Sequence, residues 1–334
     1  MSLDTLSEVL RAVRLKGAIF FSIDGSPPWL VETPPAREIG PYLLPGAEHV
    51  IEYHMVTAGS CYGAIVGEAP VRLEAGDVIV FPQGDAHVIS SQPGVRGTVD
   101  YEPFRTARDC PLPIGLRLDG GGAERSRITC GFLGLDARVF NPLLAALPRV
   151  IHVRGLGADD SDFASFVRLA VAESTARRPG SDAVLARLSE LLFVEVVRRH
   201  LATLPDESRT WLAGLRDDGV GRVLGKLHEK PAHDWSLEEL ARQSGMSRSV
   251  LAERFTQFVG VAPIQYLARW RMQLAATLLS STSAGLGEIA TEVGYGSEAA
   301  FSKAFKRTVG TTPADWRRGQ RGDDGAAAAS SGNA

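Results

Sequence analysis

The last third of this 334-residue chain repeats one pattern, and the repeat limits the folds open to the chain more than any other feature. The segments 237–263 and 286–313 carry small, apolar, glycine and proline residues in the same order. Their first halves lie 49 positions apart and their second halves 50, so one residue is inserted in the second copy. The matching positions are Leu240, Ala241, Gly245, Leu251, Phe255, Gly260 and Pro263 in the first copy and Ile289, Ala290, Gly294, Phe301, Phe305, Gly310 and Pro313 in the second. The repeat predicts two copies of one helical unit.

The spacing inside each copy is typical of two short helices joined by a tight turn. Ala241 permits a close helix crossing, and Gly245, four residues on, can take the left-handed conformation that reverses the chain at low steric cost. Ser247 then stands where a helix N-cap is preferred. Leu251 and Phe255, at i and i+4, anchor the second helix and leave its opposite face free. We therefore predict a duplicated helix-turn-helix, a motif whose second helix enters the major groove of DNA.

The two predicted motifs span about 237–258 and 286–309, and a helical stretch from about 264 to 279 joins them. Over roughly 220–319 the sequence resembles the DNA-binding domain of the AraC/XylS transcriptional regulators, and the segment 294–318 is close to that family's signature throughout. The resemblance implies that a rigid linker helix sets the two recognition helices about one DNA turn apart, so that one chain reads two adjacent major-groove segments.

The resemblance also implies which side chains face the DNA. By position these are Arg248, Ser249, Ala252, Glu253 and Gln257 on the first recognition helix and Ser297, Glu298, Ala299, Ser302, Lys303, Lys306 and Arg307 on the second. The two alanines cannot form bidentate contacts, although their methyl groups can touch a thymine, and Glu253 can accept from a cytosine amine. The cations of the second helix, with Arg317 and Arg318, are equally interpreted as a solvated face or as phosphate contacts that carry no sequence information.

The charge of the chain is unevenly distributed. Residues 220–319 hold 13 Lys and Arg against 9 Asp and Glu, a balance of +4, whereas the whole chain has a formal net charge of −3. Nonspecific affinity for DNA comes mostly from neutralising phosphates, so this balance argues against a histone-like binder. We expect specific, salt-sensitive binding by one domain.

The first part of the chain has an all-β pattern, with β-rich runs at 18–23 and 78–81 bounded by glycine and proline turns. The run from Gly76 to His87 resembles the second cupin motif, in which a glycine turn opens a strand, a proline and a glycine close it, and a histidine points into the barrel. We therefore expect a cupin-like sensor barrel over 1–138.

Upstream, Glu52 and His54 resemble a degenerate first cupin motif. In the family this motif supplies a His-x-His pair and a following Glu. Cupin enzymes hold a metal through three histidines and a carboxylate and keep coordination positions open. Two histidines, His54 and His87, therefore favour a sensor pocket for a small molecule, a metal or an oxidant. A divalent metal in the barrel is the candidate cofactor. The alternative function is a cupin metalloenzyme that carries an appended DNA-binding module.

The chain contains three cysteines, Cys61, Cys110 and Cys130, all in the expected barrel. The odd count, the lack of a signal peptide and the lack of an apolar run of about 18 residues predict a reducing cytoplasm. The Cys130–Gly131 step resembles one that recurs in cupin-type AraC regulators, including ones that respond to reactive chlorine or electrophiles. Three interpretations of Cys130 stay open: a small buried hydrophobe, a thiolate ligand beside His54 and His87, and a redox-sensing thiol. Cys61 is a further candidate for the same site.

From about 139 to 205 the apolar period becomes helical, with stripes at 163–171 and 184–196. We interpret these helices as a cap on the barrel or, preferentially, as a dimerisation surface, because a helix that is apolar around most of its circumference must be covered from more than one side. The polar segment 206–219 is predicted to be a linker.

The two ends of the chain carry weaker signals. The apolar residues from Leu3 to Val13 are interrupted by charges, which predicts an amphipathic helix that packs on the barrel or on a partner subunit. The Ala- and Ser-rich tail, 320–334, is predicted to be disordered.

Together these patterns predict a multidomain α+β protein: an all-β cupin (jelly-roll) barrel with a helical dimerisation region, then an all-α double helix-turn-helix domain. The resemblance implies a cytoplasmic regulator without enzymatic activity that activates transcription in response to an effector. Its expected partners are promoter DNA, RNA polymerase and a second copy of the chain, with no membrane.

Overall fold

The computed structural model describes residues 4–13, 15–107, 110, 112–135, 139–155, 165, 169, 170, 172, 173 and 178–319. These residues divide into two compact units. The barrel unit contains 15–135 and the described residues of 147–203, and the helical unit contains 4–13, 139–146 and 204–319. No helix among the described residues is long and apolar enough to cross a membrane.

The described strands all belong to the barrel unit. They are β1 (Leu15–Ser26), β2 (Leu30–Thr33), β3 (His49–Ala58), β4 (Ser60–Ile65), β5 (Val71–Glu74), β6 (Val78–Phe81), β7 (His87–Ser90), β8 (Ile114–Asp119), β9 (Ser126–Leu135) and β10 (Ile151–Val153).

The described helices belong to both units. They are α1 (Thr5–Val13), α2 (Ala36–Leu43), α3 (Glu102–Arg105), α4 (Pro142–Ala146), α5 (Ser181–Thr203), α6 (Trp211–Arg216), α7 (Asp218–Glu229), α8 (Leu237–Ser244), α9 (Arg248–Val259), α10 (Pro263–Ser281), α11 (Leu286–Glu292) and α12 (Glu298–Val309).

The barrel unit consists of two sheets around one apolar core. One sheet has six strands in the order β10-β6-β3-β9-β1-β8, and the other has four in the order β2-β7-β4-β5. Strand β1 pairs with β8 in parallel, and the other pairs are antiparallel. Buried side chains of both sheets, such as Phe21 and Ile79 from the first and Leu73 and Ile89 from the second, form a single cluster. The predicted all-β fold of this part of the chain is confirmed.

Strand β3 is buried on both of its faces. Side chains alternate across a strand, so Glu52 and His54 point to the opposite face from Tyr53. Helix α5 packs against β1, β9 and β10 on the Tyr53 side, where the Tyr53 hydroxyl lies 2.6 Å from the hydroxyl of Ser189 on α5. The other face, with Glu52 and His54, faces the interior of the barrel.

Gly131 on β9 makes room for the Tyr53 ring. The two residues are paired in the β3–β9 register, and a Cβ at position 131 would lie 2.2 Å from Cζ of Tyr53. Any larger side chain would force the ring away from Ser189. The glycine of the Cys130–Gly131 step therefore has a packing function.

Replacement of Gly131 by Ala should destabilise the barrel unit by about 1–3 kcal/mol, because the added methyl overpacks a closed contact. Thermal unfolding of the full chain would measure the loss. Gly115→Ala is the matched control, since Gly115 lies in β8 and a Cβ there would meet nothing within 4 Å. Equal stability of the two variants would contradict this account.

The helical unit contains both predicted motifs, α8–α9 and α11–α12. In the first, Gly245 has φ 74° and the Ser247 hydroxyl accepts from the backbone N–H of Val250. In the second, Gly294 has φ 84° and the Ser297 hydroxyl accepts from the N–H of Ala300. Two positions separate glycine from serine in the first turn and three in the second, which locates the inserted residue.

Helix α10 joins the two motifs and anchors both. Its Tyr266 hydroxyl accepts from Trp211 Nε1 of α6 at 2.9 Å and lies 2.7 Å from Nε2 of His228 on α7. Burial lowers the pKa of His228 to about 3, so its imidazole is neutral and forms a neutral hydrogen bond with the tyrosine hydroxyl. Farther along α10, Met272 and Leu279 pack with the buried side chains of α11 and α12.

The prediction of a linker at 206–219 is wrong for most of that segment. Helix α6 lies within it, and its Trp211 and Leu212 are buried. Asp217 caps α7 by accepting from the N–H groups of Gly219 and Val220. Polar and glycine residues suggested a linker here, but hydrogen bonding and tertiary contacts decide the structure.

Two further boundaries differ from the prediction. Helix α1 packs on α4, α7 and α10 of the helical unit, so residues 4–13 do not belong to the barrel as expected for 1–138. The predicted helical region 139–205 contains β10, which pairs with β6. A strand of three residues is too short to leave a period in the sequence.

Part of the predicted helical region lies outside the described residues. Of the apolar stripe 163–171, only positions 165, 169 and 170 are described. The predicted disordered tail, 320–334, lies entirely outside them.

Candidate functional site

Helices α9 and α12 present the side chains that the sequence placed against DNA. The exposed ones are Arg248, Ser249, Glu253, Gln257, Ser297, Glu298, Ala299, Lys303, Lys306 and Arg307, and Ala252 and Ser302 are half-buried. The opposite faces carry Leu251 and Phe255 on α9 and Phe301 and Phe305 on α12, all fully buried. The division into one anchored and one free face is confirmed, whereas the base contacts of individual side chains stay predictions.

The two recognition helices differ in whether their charged side chains are paired with other side chains. On α9, Arg248 forms an ion pair with Glu238 of α8, and Glu253 accepts from Gln257 at 3.4 Å. On α12, neither Lys303 nor Lys306 forms an ion pair within the described part of the chain. A phosphate can therefore reach the lysines of α12 without displacing a partner.

Several arginines near the recognition helices are structural, which the charge count could not show. Arg271 on α10 donates to the carbonyls of Pro231 at 2.7 Å, His233 at 2.9 Å and Gly294 at 3.2 Å. Arg317, interpreted from the sequence as solvated or phosphate-binding, donates to the carbonyl of Ala284 at 2.7 Å. These guanidinium groups fix the turns, so fewer cations are free for DNA.

The structure also adds one candidate that the sequence analysis missed. Val250 on α9 is 46 % exposed, beside Ser249 and one turn before Glu253. An exposed β-branched methyl on a recognition helix suits contact with a thymine methyl.

Replacement of Lys303 by Ala should weaken operator binding about equally on all sequences and reduce the slope of log affinity against log salt by about 1, as expected for one lost phosphate contact. Fluorescence anisotropy at several salt concentrations would measure it. Lys226→Ala is the control, because Lys226 on α7 is paired with Glu229 at 2.9 Å. A changed base preference with an unchanged slope would instead identify Lys303 as a base reader.

In the barrel unit, His54 of β3 and His87 of β7 meet in the interior. Their Nε2 atoms are 2.6 Å apart, and both side chains are buried. Nδ1 of His87 lies 2.9 Å from the carbonyl oxygen of Asp85, which can only accept, so His87 carries its proton on Nδ1. His87 Nε2 is then an acceptor, and His54 donates to it from Nε2. This arrangement leaves a lone pair on Nδ1 of His54, which has no hydrogen-bond partner among the described residues.

The cluster is neutral because it is buried. Burial lowers the pKa of His54 well below the ordinary value, with His87 adding to the effect, and lowers the pKa of His87 to about 4. Glu52 lies beside them, with Oε2 3.7 Å from Nε2 of His87, and neither of its oxygens has a hydrogen-bond partner within the described chain. Burial raises the pKa of Glu52 well above that of an ordinary glutamate, so a protonated carboxyl is favoured.

The cupin resemblance implies a metal at this cluster, but the geometry does not fit one. The histidine nitrogens are directly hydrogen-bonded at 2.6 Å, whereas a zinc ion lies about 2.0–2.1 Å from each nitrogen and holds its ligands farther apart. Among the described residues, no group of three or more His, Cys, Asp and Glu side chains can hold a metal ion. The side chains present thus form a neutral hydrogen-bonded group, and the structure gives the predicted divalent metal no support.

The two candidate cysteines are buried thiols. Cys130 is 4 % exposed and pairs with His54 in the β3–β9 register, and Cys61 is 1 % exposed. Burial raises the pKa of Cys61 to about 12, with Asp77 adding to the effect, and raises the pKa of Cys130 well above its ordinary value. Because the thiolate is the reactive form, this burial favours the interpretation as small hydrophobes over the redox-sensing one.

A cavity of about 160 Å³ opens beside the histidine pair. Strands β1, β2, β3, β8 and β9 and helix α3 contribute its walls. The lining residues are Phe21, Ile23, Leu30, Val31, Glu32, Thr33, His54, Thr98, Asp100, Pro103, Phe104, Leu116, Leu118, Cys130 and Phe132. Of the four sensor candidates, His54 and Cys130 border the cavity, while His87 and Cys61 do not line it within the described residues.

The chain matches the cupin family over residues 4–202 and a helix-turn-helix domain over 240–319. It is 32% identical to a putative AraC-like transcription regulator from Streptomyces antibioticus, over 95% of this chain and 99% of the relative. It is 29% identical to the RCS-specific transcriptional activator RclR from Escherichia coli, over 81% of this chain and 86% of that protein.

Among solved structures, the chain resembles the DNA-binding domain of AdpA, a global transcriptional factor, in complex with a target DNA. The identity is 30% and the TM-score 0.31, covering 32% of this chain and 96% of that one.

The matches cover the barrel and the double motif alike, and they confirm both predicted halves of the protein. The chain belongs to the AraC family of transcriptional regulators, with an N-terminal cupin domain and a C-terminal helix-turn-helix domain that binds double-stranded DNA.

Proposed function

We propose that this regulator is a cytoplasmic dimer that activates transcription when a small molecule occupies its barrel, and that it has no enzymatic activity. The observation that carries the proposal is the cavity beside His54, a partly open and mostly apolar space in the barrel unit, outside the helix-turn-helix domain. Such spaces with a few polar groups are typical of small-molecule sites. The alternative, a cupin metalloenzyme, is disfavoured because the histidine pair does not fit a metal ion.

The relative RclR is named for a specific response to RCS. We propose a bound effector instead of a reacting one for this chain. Cys61 and Cys130 are buried and their pKa values are raised, so neither thiol is poised for oxidation.

The effector can control transcription only by binding two arrangements of the protein with different affinity. The cavity is bordered by β3 and β9, and helix α5 packs on β9 from the other side of the sheet. A change in the packing of these strands on ligand binding would therefore change the contacts of α5. We propose that the effector selects the arrangement in which the dimer binds its operator productively.

Selection of bound genomic fragments with the purified chain tests the DNA part of the proposal. We expect an enriched motif of two segments about one helical turn apart, as two linked recognition helices require. A reporter fused to the enriched fragment should lose expression when the gene is deleted. A gain of expression would show a repressor, and no enrichment would contradict sequence-specific binding.

Helix α5 supplies the surface for the dimer. Val184 and Leu191, seven residues apart on one face, are 42 % and 57 % exposed, and Val194 and Leu201 on the same side are half-buried. Exposed apolar side chains at a seven-residue repeat are typical of a helix that pairs with another helix. A second copy of α5 satisfies this spacing, because two identical stripes are complementary in a two-fold dimer.

Replacement of Leu191 by Glu should convert the dimer to a monomer, because two charges would be buried at the centre of the stripe. Light scattering should give twice the chain mass of 35.8 kDa for the wild type and that mass for the variant. The affinity for the operator should fall when the dimer is lost. Tyr42→Glu on α2 is the control, since Tyr42 is also a large exposed apolar residue, at 43 %. A Leu191→Glu dimer would refute this interface.

A further inference from the structure

The size of the barrel cavity limits its occupant to a small molecule. Its volume is about 160 Å³. An engineered protein cavity of about 150 Å³ lined by Leu, Ile and Phe side chains takes up benzene. A single ring or a chain of similar size therefore fills this volume.

Most of the wall is apolar. Phe21, Phe104 and Phe132 form a group of rings in mutual contact, with centroids 5.6–6.2 Å apart. Leu116 and Leu118 of the edge strand β8 also line the cavity and are half-buried. A sugar would leave most of its hydroxyl groups without partners against such a wall, at a cost of roughly 1–3 kcal/mol for each.

The charges at the cavity exclude anions. Among the described residues, its lining contains no Lys or Arg but two acidic residues, Glu32 and Asp100. Glu32 is already held by Arg96, with Nη2–Oε1 2.6 Å and Nε–Oε2 3.0 Å, and by the N–H of Gly97 at 3.0 Å. A carboxylate ligand would find no free cation, because Arg96 is already paired with Glu32, and it would lie near the carboxylate of Asp100. A cationic ligand would find Glu32 already neutralised.

One residue that lines the cavity has a buried polar atom without a hydrogen-bond partner among the described residues. His54 lines the cavity and is 3 % exposed, and the hydrogen bonds of the histidine pair leave the lone pair of its Nδ1 free. A buried acceptor without a donor is costly, by roughly 1–3 kcal/mol. A ligand that carries one hydroxyl can remove this cost.

We propose that the cavity binds an uncharged, single-ring-sized compound with one hydroxyl group, a simple phenol in chemical class, whose O–H donates to Nδ1 of His54. The ring fills the apolar space between β1, β8, β9 and α3. This ligand class deepens the proposed function, because the same compound would be the effector.

Calorimetric titration of the full-length protein at pH 7.5 with phenol, toluene and benzoate tests the proposal. Phenol should bind about 3–10-fold more tightly than toluene, because one neutral hydrogen bond contributes about 0.5–1.5 kcal/mol. Benzoate should bind at least about 100-fold more weakly than phenol, because its carboxylate would be buried without a cationic partner. The absence of phenol binding, or equal binding of phenol and benzoate, would overturn the proposal.

Two variants locate the site. Leu116→Trp should abolish phenol binding by filling the cavity, whereas Arg117→Trp, the next residue of β8 and exposed, should leave it unchanged. His54→Leu should bring the affinities of phenol and toluene within twofold of each other. Unchanged phenol binding by a folded Leu116→Trp variant would place the ligand elsewhere and overturn the proposal.

Expression of the reporter that is fused to the enriched DNA fragment distinguishes a failure of this inference from a failure of the proposed function. If phenol binds as expected but leaves transcription unchanged, the ligand site stands and its role as an effector site fails. If transcription responds to another compound while phenol does not bind, the regulatory function stands and the proposed ligand class is wrong.

Discussion

Strands β3 and β9 have no solvent-facing side, and the chemistry of the barrel follows from this burial. On one face Tyr53 crosses β9 over Gly131 to reach Ser189 of α5. On the other face, Glu52 and His54 have no access to water. A charge in that interior would cost several kcal/mol unless it were paired. The acid and the histidines are therefore held neutral. A neutral interior accommodates a neutral ligand without a change of protonation.

The helical unit depends on a different constraint, which is the geometry of two tight turns. Each turn needs a glycine at positive φ, and backbone groups freed by the turn need partners. Arg222 donates to the carbonyl of Ser244 at 2.8 Å beside the first turn, and Arg271 donates to that of Gly294 in the second. A count of charges would treat these arginines as available for DNA, but their guanidinium groups are already bonded to backbone carbonyls. The cationic surface for phosphates is then concentrated on α12, where Lys303 and Lys306 are unpaired within the described chain.

Local rules were sufficient to predict the double motif, since caps, turn glycines and apolar spacing act within a few residues. They also predicted the turn–strand–turn course from Gly76 to His87. The incorrect predictions concern segments whose structure is determined by tertiary contacts. Trp211 in the presumed linker is buried because Tyr266, 55 positions away, accepts its N–H. The interior site was also only partly predictable. The cupin resemblance made His54 and His87 candidates, but it did not predict their direct contact. That contact and the unpaired Nδ1 of His54 depend on the hydrogen bond between His87 and the carbonyl of Asp85, which no sequence pattern encodes.

The hydrogen bonds of the histidine pair also explain how a weakly polar ligand can have a structural effect. The carbonyl of Asp85, the ring of His87 and the ring of His54 form a chain with one direction of donation, which ends at His54, a residue that lines the cavity. A donor at that end completes the chain, and connected hydrogen bonds in a low-dielectric interior strengthen one another. The chain links β3 of the first sheet with β7 of the second, so a ligand bound as proposed would act on the contact between the two sheets. On the same proposal, a ligand without a donor would fill the space but leave the chain open, and it would discriminate less between two arrangements of the regulator.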